Sequence, residues 1–346
     1  MIDCRSDVIT RPTEPMWDAM RSAEMGWGLQ DEDPSINELQ QYAANLAGME
    51  AALFVPSGTM ANLVALMTHA NRGDHILLEA YSHILWSEEW SFAYVCGLVP
   101  RALHGDFGII TPSDVENAIG ERRFGHRPHF RLLCLENTHN MAGGTVMSPT
   151  QTAALSSIAR ENGVAVHVDG ARILNACAAL NVPLRDFAPH VDTLSINLNK
   201  GLSAPGGALL CGTGDLIQAS RQNLKRLGGW SVVGKSGLTA AAGLVALKTM
   251  IPQLAEDNRR ARRLAQQLVE IDNVEVDLRT VQTNIVMVRI PALFMSTDEF
   301  LNRLHQRGVR AYPYLTDTVR FVLHRHIDDT DVSRIVEAIR GITARP

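Results

Sequence analysis

Four short stretches of this 346-residue chain carry side chains able to do more than pack. Lys200 follows the apolar run Thr193-Leu194-Ser195-Ile196 and precedes a glycine turn, so it stands where a strand gives way to a loop. In an open α/β sheet that end of a strand is where ligands collect, and an amine there can condense with a carbonyl. Asp169 closes a second apolar run, Val164 to Val168, and heads Asp169-Gly170-Ala171-Arg172; a carboxylate in that place can keep a heterocyclic nitrogen protonated. Ser57-Gly58-Thr59 joins the strand-like Ala51 to Val55 to a helical stretch from Met60 to His69. Unpaired amides, the positive helix end and two hydroxyls then converge on one spot, and Gly58 lets an anion come close. His83, in Tyr81-Ser82-His83-Ile84, adds a ring that can lie on a flat group or exchange a proton near neutrality. Each stretch alone has a plainer use: a solvated lysine, an aspartate capping a helix, a good helix start, a half-buried histidine.

Together they are the parts a pyridoxal phosphate site requires: a lysine for covalent attachment, an acid beside the pyridine nitrogen, an anion cradle and a flat partner. Competing motifs are absent, since no G-x-x-x-x-G-K-[ST] loop, no G-x-G-x-x-G after a strand and no G-x-S-x-G elbow occurs. His324-Arg325-His326 puts two imidazoles at i and i+2 of an apparent strand with no cysteine or acid nearby. That spacing predicts a solvated pair, and no metal centre is expected.

The elements that must hold these groups alternate strand and helix. Pro34 to Met49 and Ser148 to Asn162 show helical spacing, while Ile76 to Leu78, Leu132 to Leu135 and Ala208 to Cys211 join the strand-like runs above. The alternation predicts an α/β fold, a mainly parallel sheet covered on both faces. Beyond Gly237 the texture becomes a long helical span to Glu270, strands near Val274 to Leu278 and Asn284 to Ile290, a helix from Thr297 to Arg307, and strand-like Val319 to His324. The expected division is a large domain, 1–236, with an N-terminal arm over 1–30, and a smaller C-terminal α+β domain, 237–346. The net charge of −5, with signs interspersed, offers no basic stripe for nucleic acid. No apolar stretch approaches a membrane span and the first residues lack a signal-peptide pattern. Five scattered cysteines without C-x-x-C spacing suit reduced thiols, hence a cytoplasmic protein.

Six blocks, in order, are similar to the low-specificity L-threonine aldolases, which are fold-type I, aminotransferase-like pyridoxal-phosphate enzymes. They are Arg5-Ser6-Asp7-Val8-Ile9-Thr10-Arg11-Pro12-Thr13, Glu32-Asp33-Pro34, Leu53 to Met60, Leu135-Glu136-Asn137-Thr138-His139-Asn140, His167 to Arg172, and Asn199 to Gly207. The resemblance implies Lys200 as the cofactor-bearing lysine, Asp169 as partner of the pyridine nitrogen and His83 against the ring. Ser57, Gly58 and Thr59 would hold the phosphate, with Lys225 reaching in from a second subunit of a homodimer or homotetramer. Arg172 and Arg320, with Ser6, would meet the substrate carboxylate, and Gln30 would border the substrate. His126 falls at a second active-site histidine, with His129 close enough to compete for that assignment. The reaction implied is cleavage of a β-hydroxy-α-amino acid to glycine and an aldehyde, with His83 or His126 as base. The chain departs from the family at Gln30-Asp31, where Tyr-Gly is usual, and at Leu227 to Lys235, where G-G-G-M-R-Q is usual. Trp86 and Trp90 stand close after His83. A β-eliminating lyase or a racemase on the same scaffold, and a non-catalytic cofactor-binding protein, are the alternatives.

Overall fold

The computed structural model describes residues 1–28, 31–122, 128–229 and 234–344. After a two-residue strand β1 (Ile2–Asp3), seven strands build the central sheet: β2 (Ala51–Val55), β3 (His75–Glu79), β4 (Val99–Leu103), β5 (Phe130–Glu136), β6 (Ala165–Asp169), β7 (Thr193–Asn197) and β8 (Ala208–Gly212). Their order is β2-β8-β7-β6-β5-β3-β4. Strands β4, β3, β5, β6 and β7 pair in parallel, and β8 runs antiparallel to both neighbours. The near-continuous apolar runs read from the sequence are what a sheet buried on both faces demands, and β5 to β8 are buried along almost their whole length. Edge strand β4 is more exposed and carries Pro100, which only an edge tolerates, so its sequence shows no apolar run.

Parallel pairing brings the carboxyl ends of β3, β5, β6 and β7 to one edge, and those ends are Glu79, Glu136, Asp169 and Asn197. Local sequence fixes where the helices begin. Asp33 caps helix Pro34–Ala47 through the Ile36 amide, and Gly48, at φ 71°, ends it. Ser148 and Gln151 form a capping box for helix Pro149–Glu161.

The C-terminal part adds β9 (Ile285–Arg289), β10 (Val309–Arg310), β11 (Tyr312–Leu315) and β12 (Thr318–Val322). An antiparallel sheet of order β11-β12-β9 forms there, while β10 pairs in parallel with β1. Among the described residues three apolar clusters pack against the large sheet, the widest gathering residues from Met16 to Leu254; a further one joins Cys4 to residues from Ala261 to Ile342. The sequence changes texture at Gly237, whereas the cores change over inside helix Gln253–Leu268. The single helical span expected to Glu270 is two helices, Gly237–Thr249 and Gln253–Leu268, bent by 67° around Pro252. Val274 to Leu278, expected as a strand, makes only one bridge, Glu275 to Arg289. The strand expected to reach His324 stops at Val322; His324 is buried and its Nε2 lies 2.9 Å from the Asp3 carbonyl, so of the histidine pair only His326 is solvated as the spacing suggested. Among the described residues no single helix is long and apolar enough to cross a membrane.

Candidate active site

Lys200 lies three residues past β7, and its carbonyl accepts a hydrogen bond from Thr10 Oγ1 at 3.0 Å, which pins the loop to the N-terminal arm. Burial and the nearby Arg172 guanidinium push its ammonium down to about 8, against the opposing pull of Asp7, Asp169 and Glu136. A lysine that loses its proton so near neutrality is a nucleophile, in contrast with an ordinary surface lysine.

Across the cavity, Asp169 ends β6. Its Oδ1 accepts from the Ala171 amide at 3.1 Å and its Oδ2 from Asn62 Nδ2 at 2.8 Å; the helix that follows starts at Ile173, so Asp169 is not its cap. Asn62 Nδ2 also donates to Glu88 Oε1 at 2.8 Å. One amide therefore bridges two buried carboxylates. With both amide hydrogens spent there, Asn62 Oδ1 must accept, and His167 Nε2, at 3.1 Å, must donate. Burial first, then His69, lowers His167 to about 4, so it is neutral. The His83 Nδ1 atom sits 3.0 Å from Glu88 Oε1, and its backbone amide donates to Glu136 Oε2 at 2.7 Å. Burial pulls the His83 imidazole down, but Glu88, Asp169 and Glu136 outweigh it and raise its pKa. Burial likewise raises Glu88. The polar atoms of His83, Glu88 and Asp169 lie within 4.8 Å of one another. Three such ligands could gather round a cation, yet the Asn62 amide already supplies the positive end between the carboxylates.

Ser57 caps helix Gly58–His69 through the Met60 amide at 3.2 Å. A methyl group added to Gly58 would stand 2.4 Å from Asn197 Oδ1, so glycine is required by the close approach of β7. Ser57, Gly58, Thr59, Asn62, His83, Glu88, Asp169, Asn197, Asn199 and Lys200 share one cavity of ≈ 180 Å³. The Asn197 Oδ1 and Asn199 Oδ1 atoms are buried there with no partner. A helix N-terminus, a buried acid, an amine and unpaired polar atoms around one slot fit a flat, phosphate-bearing aldehyde cofactor.

Beside it lies a second cluster. Arg172 grips Asp7 with Nε at 2.8 Å and Nη2 at 2.7 Å, both residues buried. Asn284 Nδ2 adds a bond to Asp7 at 3.2 Å. Burial opposes ionisation of Asp7, but Arg172 and Lys200 hold its carboxyl far below the usual range. Arg320 donates through Nη1 to Asn140 Oδ1 at 2.9 Å and through Nη2 to the Arg5 carbonyl at 3.2 Å, and the Tyr314 ring lies 4.7 Å from its guanidinium carbon. Ser6 caps the short turn Asp7–Ile9 by accepting from the Val8 amide at 3.3 Å. A wider cleft of ≈ 670 Å³ beyond Tyr314 is lined mainly by apolar side chains such as Phe107, Met141 and Met287.

The expected residues fall into three groups. Lys200, Asp169, His83, Ser57, Gly58 and Thr59 meet in the cavity, and Arg172, Arg320 and Ser6 belong to the adjoining cluster. Lys225 is exposed near the end of helix Gly214–Arg226 and is not among the residues lining this chain's cavity. His126 and Gln30 lie outside the described residues, as do Trp230 to Val233 of the divergent segment. His129 pairs with Asp74, with Nδ1 3.1 Å from Oδ1, at the start of β5 and so at the opposite end of that strand from Glu136.

Residues 3–291 match the family of beta-eliminating lyases. A low specificity L-threonine aldolase of Escherichia coli (strain K12) is 38% identical over 290 residues, 84% of this chain and 85% of its own length. A probable low-specificity L-threonine aldolase 2 of Arabidopsis thaliana is 36% identical over 345 residues, 99% of this chain and 97% of its own. The chain belongs to the low-specificity L-threonine aldolase family. A solved structure of Leishmania major threonine aldolase superposes with a TM-score of 0.85 at 19% identity, covering 99% of this chain and 100% of that one. The fold is thus the one the resemblance implied, a mainly parallel sheet with a smaller α+β part.

Several residues of this threonine aldolase family site escaped the sequence reading. Asn62 and Glu88 sit in helical or loop segments where nothing in their spacing marks them. Asn140 closes the block Leu135 to Asn140, quoted for its likeness, yet the sequence alone gave no role for its amide. Tyr314 comes from β11, about 115 residues after Lys200, and only the fold brings it near.

Proposed function

We propose that this chain is a pyridoxal-phosphate lyase cleaving a β-hydroxy-α-amino acid, L-threonine, L-allo-threonine or a relative, to glycine and an aldehyde. What supports the reading above all is that a lysine poised to lose its proton near pH 8, a buried aspartate and a helix N-terminus line one slot in a chain of this family. In it, Lys200 would anchor the cofactor, Asp169 would pair with the pyridine nitrogen, His83 would pack against the ring, and Ser57, Gly58 and Thr59 would hold the phosphate. When bound, the cofactor supplies a carbonyl for the substrate amine and a sink for the electron pair left at Cα.

The remaining work falls to the chain's own side chains. Arg320, aided by Arg172 and Ser6, binds and orients the carboxylate, which selects the Cα bond to be broken. The Nδ1 of His83 is tied to Glu88, leaving Nε2 to exchange a proton with the β-hydroxyl; His126 is the second candidate for that base. Gln30 borders the substrate side chain. Lys200 Nζ holds or releases a proton close to pH 8. Lys225, exposed here, is assigned to the phosphate of a second copy, so the functional unit is a homodimer or homotetramer. Exposed Trp86 and Trp90, packed edge to face at 5.3 Å just after His83, suit a face that such a copy covers. The five cysteines are buried and unpaired, in keeping with a cytoplasmic enzyme.

β-Elimination is the second reading, favoured by the match to the beta-eliminating lyases. Both are tested by the visible spectrum of purified wild type beside Lys200→Ala, followed by addition of L-threonine, L-allo-threonine and L-phenylserine with assay of products. A long-wavelength band that borohydride fixes only in wild type, with glycine and aldehyde released, is the expected result. Pyruvate and ammonia would support elimination, and a wild type without a band would overturn the cofactor assignment.

A further inference from the structure

Arg172 and Arg320 are not equivalent. The Nε and Nη2 of Arg172 are already filled by Asp7 in a two-pronged, buried ion pair. Its Nη1, outside that pair, makes a long 3.5 Å contact to Asn140 Oδ1. Arg320 is engaged less fully: Nη1 bonds Asn140 Oδ1 and Nη2 bonds the Arg5 carbonyl, while its buried Nε has no partner. Burial and the neighbouring Arg172 disfavour the Arg320 charge, as expected for two guanidinium groups that share one neutral acceptor while Asp7 pairs with Arg172 alone.

Asn140 is what they share. It is 9% exposed, and every polar group of the residue's side chain is used. Its Oδ1 accepts from both arginines, and its Nδ2 donates to the Tyr314 hydroxyl at 2.9 Å. Its backbone amide donates to Glu136 Oε1 at 2.8 Å, fixing it to the end of β5, the strand next to Asp169. Burial pushes the Tyr314 phenol up to about 12, so it stays a neutral acceptor. The amide orientation is therefore set: Tyr314 takes the NH₂ side and the oxygen faces the arginines.

We propose that Asn140 is the positioning residue for substrate carboxylate recognition. Its amide oxygen draws the Nη1 atoms of Arg320 and Arg172 to one point, and the carboxylate is taken mainly by Arg320, with Arg172 contributing field and one edge while Asp7 holds it in place. A neutral oxygen suits this role because it orients both cations without cancelling their charge, which a carboxylate at the same place would do. The inference rests on the proposed amino-acid lyase reading.

The test uses the holoenzyme of wild type, Asn140→Ala and Asn140→Asp. Change in the cofactor's visible absorption is titrated with glycine and with 2-aminoethanol, which keeps the amine and replaces the carboxylate by a hydroxymethyl group. Cofactor content and thermal midpoint are recorded for each protein. The expected result is a glycine dissociation constant raised about tenfold in Asn140→Ala, the loss of roughly one charge-assisted hydrogen bond, with 2-aminoethanol unchanged. Asn140→Asp should weaken glycine further, yet have a midpoint no lower than wild type, since the new carboxylate pairs both arginines. Equal weakening of both amines in Asn140→Ala, or wild-type glycine binding by Asn140→Asp, overturns the proposal. If wild type holds no cofactor, it is the lyase reading that fails, which the cofactor content reports separately.

Discussion

Two single groups near the cavity have consequences for pH. Lys200, lowered to about 8 by burial and Arg172, is protonated below that value and nucleophilic above it. Cofactor recapture by the apoprotein should therefore speed up as pH rises through about 8 and then level off, read from the growth of visible absorbance; a flat rate across the range would contradict the lysine's assignment. Asp7 is lowered too, but because its charged form is favoured. Its folded pKa is depressed by Arg172 and Lys200, so its stabilising effect is complete above the unfolded value of about 3.9 and is lost as pH falls through the lower folded one. Asp7→Ala leaves the Arg172 charge buried and unpaired, and should cost about 3–5 kcal/mol in urea unfolding at neutral pH. A loss below about 1 kcal/mol would mean that water reaches the arginine. Lys200 and Asp169 were legible because each stands at the end of an apolar run. Asp7 was legible only as part of a resembling block, since its partner Arg172 lies 165 residues away and pairing at that range leaves no mark in spacing.

At the scale of elements, strand ends and helix caps do the positioning. Glu136 and Asp169 face each other across β5 and β6, so the acid and the loop that carries Asn140 come from neighbouring strands. The cradle depends on helix Gly58–His69 starting against β7. Gly58→Ala would force its new methyl into Asn197, which is itself buried, and should cost about 1–3 kcal/mol along with weaker cofactor retention in equilibrium dialysis. Ser57→Ala, which in the apoprotein loses the cap without a clash, should cost about 1 kcal/mol. Equal small effects of the two would indicate that the close approach is relaxed in solution. Strands buried on both faces were readable from their apolar runs, and helices from caps such as Asp33 and Ser148. Edge strand β4 was not, because exposure removes the apolar signal and Pro100 argues locally against a strand. The break at Pro252 was overlooked because the apolar spacing continues on both sides of it.

For the whole molecule, the placement of Lys225 outside its own cavity makes a quaternary prediction. A dimer that shares its sites has Lys200 of one copy and Lys225 of the other in each. Lys200→Ala and Lys225→Ala, inactive separately, should together recover about a quarter of wild-type activity after unfolding and refolding as a mixture, because half the dimers are mixed and each mixed dimer has one intact site. No recovery, with mixed dimers shown to form, would mean that Lys225 does not serve the partner copy's site. The fold class was legible from alternation alone, but the handover between cores within helix Gln253–Leu268 was not, since Leu254 serves the sheet's core and Ala261, Leu264, Ala265 and Leu268 the C-terminal one, along a single apolar stripe.

The N-terminal arm has a consequence for the order in which the protein matures. Strand β1 pairs with β10, Cys4 packs into the C-terminal core, and Thr10 holds the Lys200 loop. The arm therefore waits for a docking strand made more than a hundred residues after Lys200, a delay on the order of ten seconds at ordinary synthesis rates. During that interval the large sheet can close while the arm, and with it the Asp7 clasp on Arg172, is unseated. Chains stalled shortly after Leu268 should accordingly be cut by trypsin at Arg5 yet resist cutting within the sheet, whereas the released protein should resist at both. Competence to bind substrate then comes later than closure of the sheet, conferred by residues made long before the strand that seats them.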